Sequence, residues 1–216
     1  MSGADPFSNA AAPSEQALAE LRRTFGDEHL QTLTAMLDLA EMLWSQGRLI
    51  AARKLEEQVV AGRTRLLGED HADTLKAIGK LAVTMAAQGE LAEARVLQEQ
   101  VVAGMRALHG ETGSDTLRAI NNLAGTVAAQ GDFAGARELL QSVISAMIRE
   151  FGEQHTDSLA AMGNLAAILW QEGDLGEAYE LQRQVVELHR RVHGDGDRAT
   201  LIATAMLETM ERDTGF

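Results

Sequence analysis

Five of the six histidines stand at spacings that metal sites also use: His29, His71 and His155 fall on a 42-residue register, and His189 and His193 lie four apart. Zinc ligands must converge at about 2.0–2.1 Å on one ion, whereas residues that recur once per repeat sit on helices whose axes are about 8–10 Å apart. The first set therefore reads as turn residues. In the second set Arg190 and Arg191 follow His189, so the glutamate of a helical His-Glu-x-x-His site is missing; the pair reads as surface histidines. Asp195-Gly196-Asp197 has the opening of a calcium loop without its later ligands or distal glutamate, and reads as loop chemistry. No cysteine is present, and no phosphate loop, nucleophile elbow or paired carboxylates stand out. The expectation is a non-catalytic chain with no cofactor and no metal. The chemistry left is recognition: the amides of Asn121, Asn122 and Asn164, the two tryptophans Trp44 and Trp170, the cations Lys76, Lys80 and Arg118, and the carboxylate of Asp38.

The elements that must position these groups are set by a repeat. Gly26, Gly68, Gly110, Gly152 and Gly194 are 42 residues apart, and so are Thr32, Thr74, Thr116, Ser158 and Thr200, each followed by leucine. A second glycine series runs Gly47, Gly89, Gly131, Gly173 and Gly215. A fixed period of this size is the signature of stacked repeats sharing one core. Between the glycines lie two segments of helical length, about 30–46 and about 49–66. In the first, Leu33, Met36, Leu39, Ala40 and Leu43 make one buried stripe; in the second, Ala52, Leu55, Val59 and Val60 do so. Each repeat is thus a helical hairpin. Both glycine series suit left-handed helix exits, and Ala40, Ala52 and their equivalents let helix axes approach closely. The fold class expected is an all-α, right-handed α-solenoid.

Both prolines, Pro6 and Pro13, precede the first repeat. Residues 1–13 read as a disordered lead-in and 14–214 as a single solenoid, with a capping helix at about 14–24, repeats at about 26–67, 68–109, 110–151 and 152–193, and a second capping helix at about 198–212. Ala17 and Leu18 align with Val59 and Val60. Glu208 replaces the alanine of Ala166, which is tolerable only where no further helix packs over it. The formal charge of −13 argues against nucleic acid or an anionic membrane as main partner. Cysteine-free composition is compatible with a reducing compartment. The N-terminus lacks a secretory pattern, and no apolar stretch approaches the roughly 20 residues of a membrane span. A soluble, cytoplasmic protein is expected.

Asn164-Leu165-Ala166 followed by Gly173-Asp174-Leu175-Gly176-Glu177-Ala178 resembles a tetratricopeptide repeat. The 42-residue length, with Gly68-Glu69-Asp70-His71-Ala72-Asp73-Thr74-Leu75, resembles the kinesin light chain variety over about residues 26–215. Departures are visible. The proline usual after the histidine is Leu30, Ala72, Ser114, Thr156 or Arg198, which predicts softer helix starts. Gly113 and Asp197 replace the histidine, and Glu56, Gln98, Leu140 and Gln182 stand where an aromatic is common.

In such a stack the first helices line a concave face, and the positions their core stripe omits are Asp38, Lys80, Asn122 and Asn164; Leu37, Gly79, Asn121 and Gly163; Glu41, Val83, Gly125 and Ala167; and Trp44, Ala86, Ala128 and Trp170. Asn122 and Asn164 are repeat-equivalent and can meet successive peptide units of an extended segment, since three extended residues advance roughly 10 Å. The resemblance implies that asparagines here hold backbone; the alternative is bonding within their own hairpin. Trp44 and Trp170 are either ligand anchors or end-of-array packing. Lys76, Lys80 and Arg118 form either a basic strip for an acidic peptide or a solvated face paired with acids. The function expected is an adaptor binding a partner peptide or helix in the groove. Assembly or homo-oligomerisation through the convex face or ends, or a small-molecule sensor, are the alternatives.

Overall fold

The computed structural model describes residues 12–214; the expected lead-in up to residue 11, and Gly215, lie outside them. Among the described residues all regular structure is helical: α1 (Ala12–Phe25), α2 (Leu30–Ser45), α3 (Leu49–Leu67), α4 (Ala72–Ala87), α5 (Leu91–His109), α6 (Ser114–Ala129), α7 (Phe133–Phe151), α8 (Thr156–Glu172), α9 (Leu175–His193) and α10 (Arg198–Thr214). Ala12 and Pro13, expected in the lead-in, form the first turn of α1, where proline's missing N–H costs nothing. The chain divides into two compact units, Met1–Leu108 and His109–Phe216, the division falling in the last turn of α5. In the first, α1 packs on α2, α2 on α3 and α3 on α4, and α4 meets α5 through Leu81, Met85 and Ala94. In the second, α6 to α10 each pack on the next, and the first helices α6 and α8 also touch.

The alternation of first and second helices follows from the side chains at their contacts. Ala40, Ala82, Ala124 and Ala166, with Ala52, Ala94, Ala136 and Ala178, are all wholly buried; a larger side chain there would force the axes apart. Leu33 and Leu75 fill the space left by Gly62 and Gly104, where an added Cβ would come within 2.8 and 2.5 Å of their methyls. In α1 Leu18 is buried but Ala17 is exposed, so the register that aligns Ala17 with buried Val59 does not carry over to burial. Leu201, heir to a leucine buried in every earlier repeat, is 56% exposed on α10, and Glu208, two turns on, is exposed as well.

The two glycine series do different work. Gly173 closes α8 in the left-handed conformation, φ 92° and ψ 6°. Gly152 closes α7 with φ 92° but ψ 158°, an extended conformation with positive φ that is essentially closed to residues with a Cβ. The expectation that both series exit their helices alike is corrected there. The next helix then starts on a histidine. His29, His71 and His155 have extended backbones, and each Nδ1 accepts the N–H two residues on, from Gln31, Asp73 and Asp157. The helix starts expected to be softer without proline therefore carry side-chain caps. Asp197 does the same for α10, its Oδ1 accepting from Ala199 at 2.9 Å, whereas Gly113 caps α6 without a side chain. The Thr/Ser series is wholly buried; Thr116 and Ser158 donate to the carbonyls of Gly110 and Gly152 at 2.8 and 2.9 Å.

Another interior place, on the second helices, is polar in three of four repeats. Glu56 on α3 is 3% exposed, and Gln98 and Gln182 at the same place in α5 and α9 are equally enclosed, while α7 has Leu140 there. Glu56 Oε1 accepts from Thr84 Oγ1 on α4 at 3.0 Å; its Oε2 has no partner. The equivalents of Glu56 and Thr84 two repeats on are Leu140 and Ile168, both buried, so donor and acceptor change together into an apolar pair. Burial pushes the Glu56 carboxyl above the usual carboxylate range, against the Thr84 hydrogen bond. A carboxyl raised on folding favours the fold while protonated and loses that contribution as pH climbs past about 4.3, the unfolded value. Glu56→Gln should thus stabilise the protein at pH 7 by about 1–3 kcal/mol, with the gain shrinking towards pH 4. Urea denaturation across pH checks this, and a pH-independent difference would contradict it.

Candidate functional site

The first helices present their unburied side chains on one face in each unit. In the first unit α2 contributes Asp38, Glu41 and Trp44, all exposed, and α4 contributes exposed Lys76 and half-buried Lys80, Val83 and Ala86. Leu37, expected on this face, is instead in the core at 8% exposure with Leu33 and Met36, because an apolar side chain beside the stripe turns in. Lys80 Nζ lies 2.8 Å from Glu41 Oε2, bridging α2 and α4. Trp44 is 42% exposed one residue before the end of α2.

In the second unit α6 and α8 pack side by side and their amides meet. Asn164 Nδ2 donates to Asn121 Oδ1 at 3.1 Å, a diagonal rung rather than a link between the repeat-equivalent Asn122 and Asn164. Asn122 and Asn164 are exposed and Asn121 is half-buried. Around the rung the surface is cut to the backbone. At Gly125 and Gly163 an added Cβ would meet nothing within 4 Å, and neither has positive φ. Neither packing nor backbone geometry asks for glycine there, although glycine inside a helix costs about 0.5–1 kcal/mol relative to alanine. Trp170, half-buried, stands at the far end of the face, while Ala128 is in the core.

Two of the three cations expected to make a basic strip, Lys80 and Arg118, are held by acids. Arg118 Nη2 lies 2.7 Å from Asp115 and its Nε 3.8 Å from Asp157 on α8, and Lys80 is paired as described. Such half-exposed pairs are worth tenths of a kcal/mol, but they leave little unopposed positive charge. Other arginines tie hairpin to hairpin: Arg53 on α3 reaches Glu90 and Gln88 beyond α4, and Arg137 on α7 reaches Glu172 at the end of α8 and Asp174 and Glu177 beyond it at 3.0–3.2 Å. Sequence reading missed these clamps; the 42-residue register of Arg53, Arg95 and Arg137 was the available signal.

The histidines take two roles. His29, His71 and His155 are the caps described above. His189, expected at the surface with His193, is buried at 6% exposure, because its place in α9 is the one that Met105 and Met147 fill in α5 and α7. No group of three or more metal-ligating side chains comes together among the described residues, and no helix there is long and apolar enough to cross a membrane.

Hairpins of these helix lengths, with small residues at their crossings and glycine exits on a 42-residue beat, are tetratricopeptide repeats. Tetratricopeptide repeat models match residues 73–149 and 115–190, and another matches 32–73; the chain belongs to this family, an α-solenoid of protein-binding repeats. It is kinesin light chain-like. A crystallised variant of the nearly identical TPR-like repeats of a Podosopora anserina protein of kinesin light chain type is 30% identical, with a TM-score of 0.67 over 86% of this chain and 87% of that one. A second structure of those repeats gives 29%, 0.65, 87% and 89%. BtubC (BKLC) from P. vanneervenii, 16% identical with a TM-score of 0.74 over 98% of this chain and 85% of its own, shares the fold. So does a Rap protein complexed with Competence and Sporulation Factor, at 14%, 0.71, 95% and 60%. Among curated proteins none matches the chain.

The bare floor has a measurable consequence. Gly125→Ala and Gly163→Ala should each raise stability by about 0.5–1 kcal/mol, while Gly104→Ala, driven against Leu75, should lower it. Equilibrium denaturation distinguishes the two classes; a loss at Gly125 or Gly163 would show a packing role for those glycines.

Proposed function

We propose that this protein is a non-catalytic adaptor that binds an extended segment of a partner protein on the face of its first helices, with the α6–α8 face as the principal reader. The observation that carries the reading is the exposed Asn121–Asn164 rung set among Gly125 and Gly163, which nothing in the fold requires. An amide carries two donors and two acceptor lone pairs. After the rung forms, Asn164 Oδ1 and Asn121 Nδ2 still have an acceptor and a donor to give, the two functions that a peptide unit complements. Glycines beside them let a main chain approach where a methyl would hold it off. Asn122 adds a further amide, and Trp170 offers large apolar contact at one end. On the other unit's face, Trp44, Asp38, Lys76 and Lys80 supply selectivity, as Arg118 does on this one. The Rap complex shows a similar fold in a protein bound to a factor, which supports the class of partner and not its identity.

The test is selection of binding peptides from a displayed library of 15-residue segments, followed by titration against variants. Asn121→Ala combined with Asn164→Ala should weaken selected peptides at least tenfold, and Gly163→Leu should do so with the fold intact by circular dichroism. Undiminished affinity in both variants would rule out the α6–α8 face.

A further inference from the structure

The joint between α9 and α10 differs from its counterparts at one buried place. Where the last turn of a second helix meets the next first helix, the chain places Arg63, Met105, Met147 and His189 in turn. Met105 and Met147 are 2% and 1% exposed and ask for no partner. Arg63 is 8% exposed, and it donates from Nη1 to the Asp73 carbonyl on α4 at 2.9 Å and from Nη2 to Thr34 Oγ1 on α2 at 3.3 Å. One solution is apolar and the other is a hydrogen-bonded cation. His189 is 6% exposed with no partner for Nδ1, so it fits only while its imidazole is neutral.

We propose that the α9–α10 joint is an acid-released latch, in which protonation of His189 undocks the first turn of α10 from α9. The charges around it decide the direction. His193 lies one turn on, its ring tilted against that of His189 with the centroids 5.7 Å apart. The anion acting on His189 is Asp197, whose Oδ1 already holds the Ala199 N–H as the cap of α10. That carboxylate favours the protonated ring, and burial together with His193 outweighs it. Arg190 and Arg191 add positive charge to the same turn of α9, Arg190 being paired with Asp195 at 3.1 Å, and Arg198 opens α10. The neighbours of His189 on α9, Val185, Val186 and Leu188, pack with Leu159 and Met162 of α8 and with Ala203 and Leu207 of α10, none of which titrates. Farther along α10, Gln182 Nε2 donates to the Ala203 carbonyl at 2.8 Å and Tyr179 donates to Glu211 at 3.2 Å, so opening begins at the first turn. Undocking that runs on past the first turn uncovers Val185, Val186 and Leu188, now at most 5% exposed and packed with Ala203 and Leu207.

Burial, reinforced by His193 and opposed by Asp197, holds the His189 imidazole below its ordinary value. A histidine lowered on folding favours the closed joint when neutral. That contribution is complete above the ordinary pKa of about 6.5 and is lost as pH falls through the folded value, up to tenfold in the opening constant per pH unit.

Hydrogen–deuterium exchange of α10, corrected for intrinsic rates, tests the latch between pH 7.5 and 5, above the carboxylate range. In the wild-type chain, protection of α10 should fall by at least tenfold over the interval while α6 and α7 keep theirs. In His189→Met, which copies Met105 and Met147, α10 should stay protected. Should that variant not fold, an NMR titration of the wild-type His189 ring must show its transition coinciding with loss of the α10 amide signals. Equal loss in wild type and His189→Met, or an α10 indifferent to acid, or a ring titration uncoupled from α10, overturns the proposal.

Discussion

Every hairpin in this protein hangs on a backbone conformation that only glycine adopts cheaply. The second helix ends with φ near +90° and ψ near 160° at Gly68 and Gly152, and no other residue type among those described has positive φ. From that exit the chain has only a few residues to reach the next first helix, and the exit angle fixes the direction in which they leave. A histidine with extended backbone, an aspartate or a glycine caps the new helix, and a buried threonine or serine enters its first turn. Side chains at these turns vary; the glycine does not, because the alternatives to capping are cheap and the alternatives to the backbone angle are not.

With the joints fixed, the interior becomes a row of equivalent places at which different residues solve the same problem. The place of Glu56 is polar in α3, α5 and α9 and apolar in α7, and its neighbour changes from Thr84 to Ile168 in step. That pairwise exchange follows from the cost of an orphaned buried donor or acceptor, which exceeds the cost of replacing both by hydrocarbon. The place of Arg63 shows the same logic with a cation, two methionines and a histidine. Variation at one place is a record of what the joint physically admits, and His189 stands out because it satisfies the requirement in one protonation state only.

The repeat was readable because helical periodicity and glycine exits are local properties of the chain. Ala40, Ala52 and the place of the histidines in the turns needed only spacing; that those histidines cap the helices did not follow from it. What spacing could not supply was the partner of each side chain across the stack. Asn122 and Asn164 share a repeat position, yet neighbouring helices are offset, so Asn164 meets Asn121. Leu37 looked like a floor residue because it falls beside the stripe, and burial claimed it. His189 looked like a surface residue from its local sequence, Arg190 and Arg191 included, and only its register with Met105 and Met147 betrays the core. Side-chain rungs and clamps live between repeats, at separations of 35–43 residues, beyond any local pattern.

Charge sets the remaining terms on which a partner can be met. With a formal charge of −13, the protein repels an acidic segment at long range, and salt within about 8–10 Å screens that repulsion only in part. A basic strip would have offset it locally, but Lys80 is engaged with Glu41 and Arg118 with Asp115, so an acidic ligand must compete for each cation it uses. The α6–α8 floor between Arg118 and Trp170 carries amides, glycines and alanine. Under the proposed function such a floor reads main chain and shape, and the surrounding field favours neutral or basic segments over acidic ones. Specificity by charge is therefore exclusion at a distance, and affinity rests on the uncharged contacts at the floor.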